Sequence, residues 1–339
     1  MKVAKEKLPK SQVRLRIELE PEECETYRPG VVESLAKDVK IEGFRPGHVP
    51  VAMAEKHIGE GIILEEIARI AIAATYGKVM QEHQFDVIGD PEVRVVKLAP
   101  GNPLEFEITI AVLPEVTLPE YKKIAAESEK RKVLIEEKEI QEALEWLKNS
   151  RKTEDGITPE LNNEFAKTIG NFEGLAELRE SVSEGLQHEK EAQEKDRVRQ
   201  EILENIASQA VLEIPDLLIE REKGVLLQNV KQGVAQMLQI PFEEYIKKSG
   251  KTEQELIDSF QEEAGKRVKR FLVLREIANR ESINPSQEEI EKEAAVILSH
   301  YKQASKAEKD IDPTRLKEYT EGVIRHEKTL QFLEDLAKI

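Results

Sequence analysis

The stretch Gly43-Phe44-Arg45-Pro46-Gly47-His48-Val49-Pro50 holds the residue types best suited to recognition chemistry in this sequence. Its two glycines permit sharp backbone turns, and its two prolines restrict the same loop. A stiff tip of that kind presents one aromatic ring and one guanidinium. The planar guanidinium fork of Arg45 suits carboxylate or phosphate partners, and Phe44 offers a large apolar surface at small entropic cost. On composition alone, the same stretch also reads as an ordinary helix–helix connection, with Phe44 tucked into the core and Arg45 solvated.

Catalytic patterns are missing elsewhere. The six histidines, His48, His57, His83, His188, His300 and His326, are scattered without a His-x-x-x-His pair, and Cys24 has no metal-binding neighbour in sequence. Neither Gly-x-x-x-x-Gly-Lys-Ser/Thr nor Gly-x-Ser-x-Gly occurs. Adjacent glutamates such as Glu65-Glu66 and Glu288-Glu289 point to different helix faces, which suits solvation and capping better than acid–base work. The sequence therefore predicts no catalytic residue, no metal site and no cofactor.

The elements around the loop follow from periodicity. Val13, Leu15, Ile17 and Leu19 alternate with polar residues, so Gln12–Glu20 reads as a half-buried strand, with Lys2–Lys7 as a shorter partner. Val31, Leu35 and Val39 mark a helix face, and Pro29-Gly30 argues against an earlier helix start. A short helix over Val51–Ile58 follows the loop. Gly59 and Gly61 interrupt it before a longer helix carrying Ile63, Ile67, Ile70 and Ala74 toward His83. Two strands, Glu92–Leu98 and Leu104–Val112, flank a Pro/Gly turn. Residues 1–112 thus read as an α+β domain.

Residues 113–132 read as an extended linker, because Pro114 and Pro119 fall near its start. Beyond Glu136 helical patterns dominate. Ile140, Ala143, Leu144 and Leu147 form one stripe, and Leu175–Ala210 is a long helix whose Gln187–Gln200 segment is nearly all polar and belongs at a surface. Ser286-x-x-Glu289 is a capping box. Asp312-Pro313 opens a last helix with Leu316, Tyr319, Val323, Leu330 and Leu333 expected on its inner face.

Composition bounds the function. Of 339 residues, 35% are charged and only 5% aromatic, so no aromatic-lined pocket is expected to dominate. The formal net charge of −16 disfavours general nucleic-acid binding. Residues 1–60 hold eleven Lys/Arg and eleven Asp/Glu, which makes the N-terminal part the least repelled by an RNA-rich surface. The single cysteine fits a reducing compartment. The polar start and the lack of any membrane-length apolar run predict a cytoplasmic protein.

The loop resembles the ribosome-docking signature of the trigger factor family, Gly-Phe-Arg-x-Gly-x-x-Pro, placed between two helices after an N-terminal strand. Pro46 and His48 stand where the family usually carries lysine, which removes two cationic positions. Val112-Leu113-Pro114-Glu115-Val116 is similar to the family's exit from its docking domain. Residues 158–166 resemble the segment after its isomerase domain, and Ile214-Pro215-Asp216-Leu217-Leu218 the entry to its first arm. The segments that normally flank the isomerase domain are nearly joined here at residues 155–157. A domain of ~100 residues has no room there.

The resemblance implies an α+β docking domain, residues 1–112, followed by an elongated, mostly helical chaperone domain, residues 133–339. Its arms fall at about 218–282 and 283–339. It implies a ribosome-associated chaperone that binds nascent or unfolded polypeptide near the exit site without ATP, has no membrane partner, and is capable of weak homodimerisation. Ribosome contacts map to Gly43, Phe44, Arg45, Pro46, Gly47, His48 and Pro50. The unusually apolar stretch containing Leu226, Leu227, Val234, Met237, Leu238, Ile240 and Phe242 is the candidate client surface, plain core packing being the alternative for each residue. The alternatives in function are a peptidyl-prolyl cis–trans isomerase, which the missing insertion argues against, and a non-ribosomal holdase or helical scaffold.

Overall fold

The structure is a computed structural model that describes residues 1–37, 39, 49–152, 158–304 and 312–338. In chain order the first elements are β1 (Lys2–Leu8), β2 (Gln12–Leu19), α1 (Pro21–Glu25), α2 (Arg28–Ala36), α3 (Val51–Ile58), α4 (Glu60–His83), β3 (Val87–Lys97) and β4 (Leu104–Val112). Then come α5 (Tyr121–Glu127), α6 (Glu137–Ser150), α7 (Asn163–Ile169), α8 (Leu175–Gln209) and α9 (Asp216–Gly233), which runs into a π-helical turn at Val234–Leu238. The chain ends with α10 (Phe242–Ser249), α11 (Glu253–Ser259), α12 (Gln261–Arg280), α13 (Gln287–Ala304) and α14 (Pro313–Asp335). An N-terminal α+β region is thus followed by a mostly helical remainder. No helix among the described residues is long and apolar enough to cross a membrane.

Two compact units divide the chain. One comprises Met1–Glu115 with Leu212–Lys269, the other Val116–Val211 with Arg270–Ile339.

The first unit is organised by an antiparallel sheet of order β1-β2-β4-β3. Alternation puts Val13, Leu15, Ile17 and Leu19 of β2 on one face. The register sets Leu15 opposite Ile108 and Ile17 opposite Phe106 of β4. Helix α4 closes over that face with Ile63, Ile67, Ala71 and Val79, joined by Val31 and Val32 of α2. Each large aliphatic or aromatic side chain buried there contributes about 2 kcal/mol.

Local expectations hold with four corrections in this unit. Helix α2 ends at Ala36, so Val39, expected on its face, lies beyond it. Pro29 does not delay α2, since it occupies the first turn, where its missing N–H would have no helical partner. Gly61 lies inside α4, and only Gly59, at φ 85°, breaks the chain between α3 and α4. Strand β3 starts at Val87, ahead of the expected Glu92, and passes through Pro91 with a register shift between Ile88 and Glu92. An edge strand tolerates a proline because one side of its backbone has no ladder partner.

The second unit is held by polar ties as much as by apolar packing. Ile140 and Leu144 of α6 pack on Phe165, Ala166 and Leu178. Residues 113–132 are not wholly extended: α5 forms inside them, with Tyr121 and Ala125 buried one turn apart. The Tyr121 hydroxyl donates to the Glu281 carboxylate. Burial, reinforced by that carboxylate, pushes its pKa up to about 12.

The polar segment of α8 is only partly a surface. Val198 is buried, and so is Arg199, whose guanidinium reaches Glu334 at 2.8 Å, Glu327 at 2.9 Å and Gln331 at 2.9 Å, all on α14. Helix α14 buries only part of the expected face, with Leu333 buried and Leu316 and Leu330 half-buried. Tyr319 and Val323 are exposed, at 64% and 40%, whereas Thr320, Thr329 and Glu334 are buried beside Leu333. The threonine hydroxyls donate to the backbone carbonyls of Leu316 and Arg325, each at 2.7 Å, which satisfies them without water.

The expected caps are present. Ser286 and Glu289 form a reciprocal capping box, and the Asp312 carboxylate accepts from the Thr314 amide.

One tie lends itself to titration. Glu194 accepts from Arg197 at 2.7 Å and from the Arg131 amide at 2.6 Å, and the Arg197 guanidinium is the main cause of its carboxyl falling to about 2. A depressed carboxylate stabilises the fold above its unfolded pKa of about 4.3, and that contribution is lost as pH falls toward the folded value. Glu194→Gln should therefore lower stability at neutral pH by up to about 1 kcal/mol, as expected of a surface tie. In thermal melts the gap to wild type should close as pH drops from about 4.5 to 2. A gap of constant size across that range would show that the ionised carboxylate does not stabilise the fold.

Candidate functional site

Two regions stand out. In the first, α2 leads into residues 38–48 and α3 leads out of them. Gly43, Phe44, Arg45, Pro46, Gly47 and His48 lie outside the described residues. Pro50 is described: it is exposed and caps the N-terminus of α3. Val49 is buried against Ala36 of α2 and Ala54 of α3, with Ile58 packed on the group. Small side chains at these positions let the two helices approach closely.

The far end of that helix pair is closed by charge. Arg28, in the first turn of α2, donates to Glu25 at 2.7 Å, to Glu55 of α3 at 3.1 Å and to Glu60 of α4 at 3.1 Å. These hydrogen bonds, above all the one to Glu60, raise the guanidinium above its ordinary value. The same pair pushes Glu60 below the usual carboxylate range. Sequence reading missed this group, because its partners lie up to 32 residues away and only Glu25-x-x-Arg28 has a local signature.

The second region lies where α9 ends. Here the π-helical turn Val234–Leu238 terminates at Gln239 in a left-handed conformation, φ 52°. A π turn carries one extra residue and re-aims the side chains that follow it.

The structure divides the expected client residues. Leu226 and Val234 are buried and hold the helix in place, so they offer no surface. Leu227, Ile240 and Phe242 are half-buried. Met237 is 85% exposed and Leu238 54%, with Val225 exposed on the preceding helix. Leu238 and Ile240 line an open groove of about 440 Å³ together with Tyr245, Lys248 and Ser249. The Lys231 ammonium sits 4.8 Å from the Phe242 ring centroid, and that ring lies 6.2 Å from Tyr245. The chemistry available here is apolar contact with cationic edges, through a thioether that adapts to irregular partners.

Among the described residues no group of three or more His, Cys, Asp or Glu is placed to hold a metal ion. The thiol of Cys24 is buried, which pushes its pKa up.

The family model described as bacterial trigger factor protein matches residues 1–147. The model described as the C-terminus of bacterial trigger factor protein matches residues 174–335. The trigger factor of Carboxydothermus hydrogenoformans is 26% identical over 429 aligned positions that cover all of both chains. That of Moorella thermoacetica is 26% identical, covering all of this chain and 95% of its own. A solved structure reported for promiscuous substrate recognition in folding and assembly activities of the trigger factor chaperone superposes with a TM-score of 0.58. It covers 99% of both chains at 18% identity, a likeness that speaks for the fold. With two family models accounting for nearly its whole length, the chain belongs to the bacterial trigger factor family of ribosome-associated chaperones.

Proposed function

We propose that this chain docks on the ribosome through residues 43–50 and holds nascent or unfolded polypeptide without ATP, in the cytoplasm. In this reading residues 1–112 are the docking domain, 113–132 the connection, and 133–339 the client-binding domain with arms at about 218–282 and 283–339. The observation that carries the client-binding half is the exposure of Met237 and Leu238 beside an apolar groove, at the π turn that ends α9. Many weak apolar contacts of this kind slow collapse and aggregation of unfolded chain by mass action, and no nucleotide is required. A net charge of −16 keeps a protein with such a surface from self-aggregation.

A proline-isomerase activity is not part of this proposal. The family models leave only residues 148–173 between them, fewer than the ~100 of an ordinary domain. The Carboxydothermus alignment runs over 429 positions while this chain supplies 339 residues, so about 90 positions of that relative have no counterpart here. Turnover of a short proline peptide by the purified chain would contradict this part of the proposal.

Docking is tested by salt-dependent pelleting with bacterial ribosomes. Wild type should co-sediment, more weakly as salt rises, and Phe44→Ala with Arg45→Ala should lower binding at least about tenfold. Equal pelleting of the two proteins would remove the docking loop from the proposal.

The client surface separates from the core by paired substitutions. Met237→Ser with Leu238→Ser should leave the melting temperature unchanged and reduce suppression of client aggregation. Val234→Ala, at a buried position, should cost about 1–3 kcal/mol of stability. Undiminished suppression by the Met237/Leu238 variant would place the client surface elsewhere.

A further inference from the structure

Helix α3 is attached to the fold in an unusual way. At its C-terminal end a single residue, Gly59 at φ 85° and ψ 148°, separates it from α4, and the space around Gly59 is open. A one-residue glycine joint sets no direction for the helix it carries. The orientation of α3 must therefore come from side-chain contacts. Of its eight residues only Ala54 is buried, in a small group with Ala36 and Val49. Ile58, half-buried, packs on this group and on the main core, but two alanines, a valine and one isoleucine still contribute a modest apolar area. Among the described residues the polar tie to α2 is Arg28, which bonds Glu55 on α3 and Glu60 immediately beyond the glycine joint, while Glu25 steadies the guanidinium from α1.

Arg28 suits this task. Its side chain is only 22% exposed, which limits screening by salt. Its planar fork engages three carboxylates in fixed directions, which an ammonium cannot do. Residues 38–48 enter from the end of α2 and leave through Pro50 into α3, so the stance of these two helices sets the spacing of the loop's two ends.

We infer that Arg28 is a positioning residue for ribosome docking: it closes the base of the α2–α3 pair across the Gly59 joint and so fixes the ends of the loop that makes the contact. The inference rests on the docking reading above, although Arg28 itself lies at the opposite end of α2 from the loop. It predicts that docking weakens when the clamp is cut, with the loop sequence intact.

The test uses the full chain and bacterial ribosomes. Arg28→Gln should weaken co-sedimentation about tenfold and speed hydrogen exchange of the α3 amides, while protection of an unfolded client without ribosomes is unchanged. Glu60→Gln should show a smaller loss in the same direction. The double variant should bind no worse than Arg28→Gln alone, since both substitutions remove one shared interaction. Wild-type pelleting by Arg28→Gln would overturn the inference, as would strictly additive losses or an equal loss of client protection. Should the Phe44/Arg45 variant pellet like wild type, the docking reading fails on its own. Hydrogen exchange then still decides on Arg28: unchanged α3 protection refutes the clamp and faster exchange supports it.

Discussion

The antiparallel pairing of β2 with β4 sets Leu15 opposite Ile108 and Ile17 opposite Phe106, and this register is the constraint on which the first unit is built. A slip of one residue would turn every one of these side chains to the solvent face. The pairing therefore fixes which face α4 must cover and, through Val31 and Val32, where α2 lies. Helix α2, which leads into residues 38–48, inherits its position from that sheet. For the proposed docking loop such a base matters, because ends that are already placed lower the ordering cost of binding.

The second unit solves a different problem. Its long helix α8 carries too few apolar residues to be held by hydrophobic burial alone. Arg199 compensates by engaging two carboxylates and an amide on α14, with Lys130 and Lys195 drawn to the same Glu334. A buried charge paired this completely adds modest net stability, but removing one partner is costly, and that favours one relative setting of α8 and α14. The long polar faces left over remain wetted, which suits a chain with 35% charged residues.

Exposed apolar area and solubility are competing demands in any protein that holds unfolded chain. Here the exposed apolar residues are Met237 and Leu238 at the end of α9 and Val225 further back on it, while Leu226 and Val234 face inward. The inward pair anchors the helix so that the outward residues can stay uncovered. Lysines at the rim and the acidic remainder of the chain oppose self-association.

Much of this was legible in the sequence because the signals were local. Period-two alternation gave β2 and β4, glycine and proline marked the turn between β3 and β4, and Ser286-x-x-Glu289 and Asp312-Pro313 announced two helix starts. The loop motif at residues 43–50 and its flanking helices were also written locally, and they pointed to the family that the comparisons later gave. What the sequence could not decide was anything resting on distant partners. Which of the apolar residues 226–242 face outward depended on a π turn that no spacing rule foretells. Tyr319 and Val323 are exposed on α14 while Thr320 and Glu334 are buried, and Glu334 is buried beside Arg199, a partner far away in the chain. Arg28 met Glu55 and Glu60 only through packing of α2, α3 and α4. Local propensity acts over a few residues, whereas burial of a charge is decided by whatever the tertiary fold brings within hydrogen-bond reach.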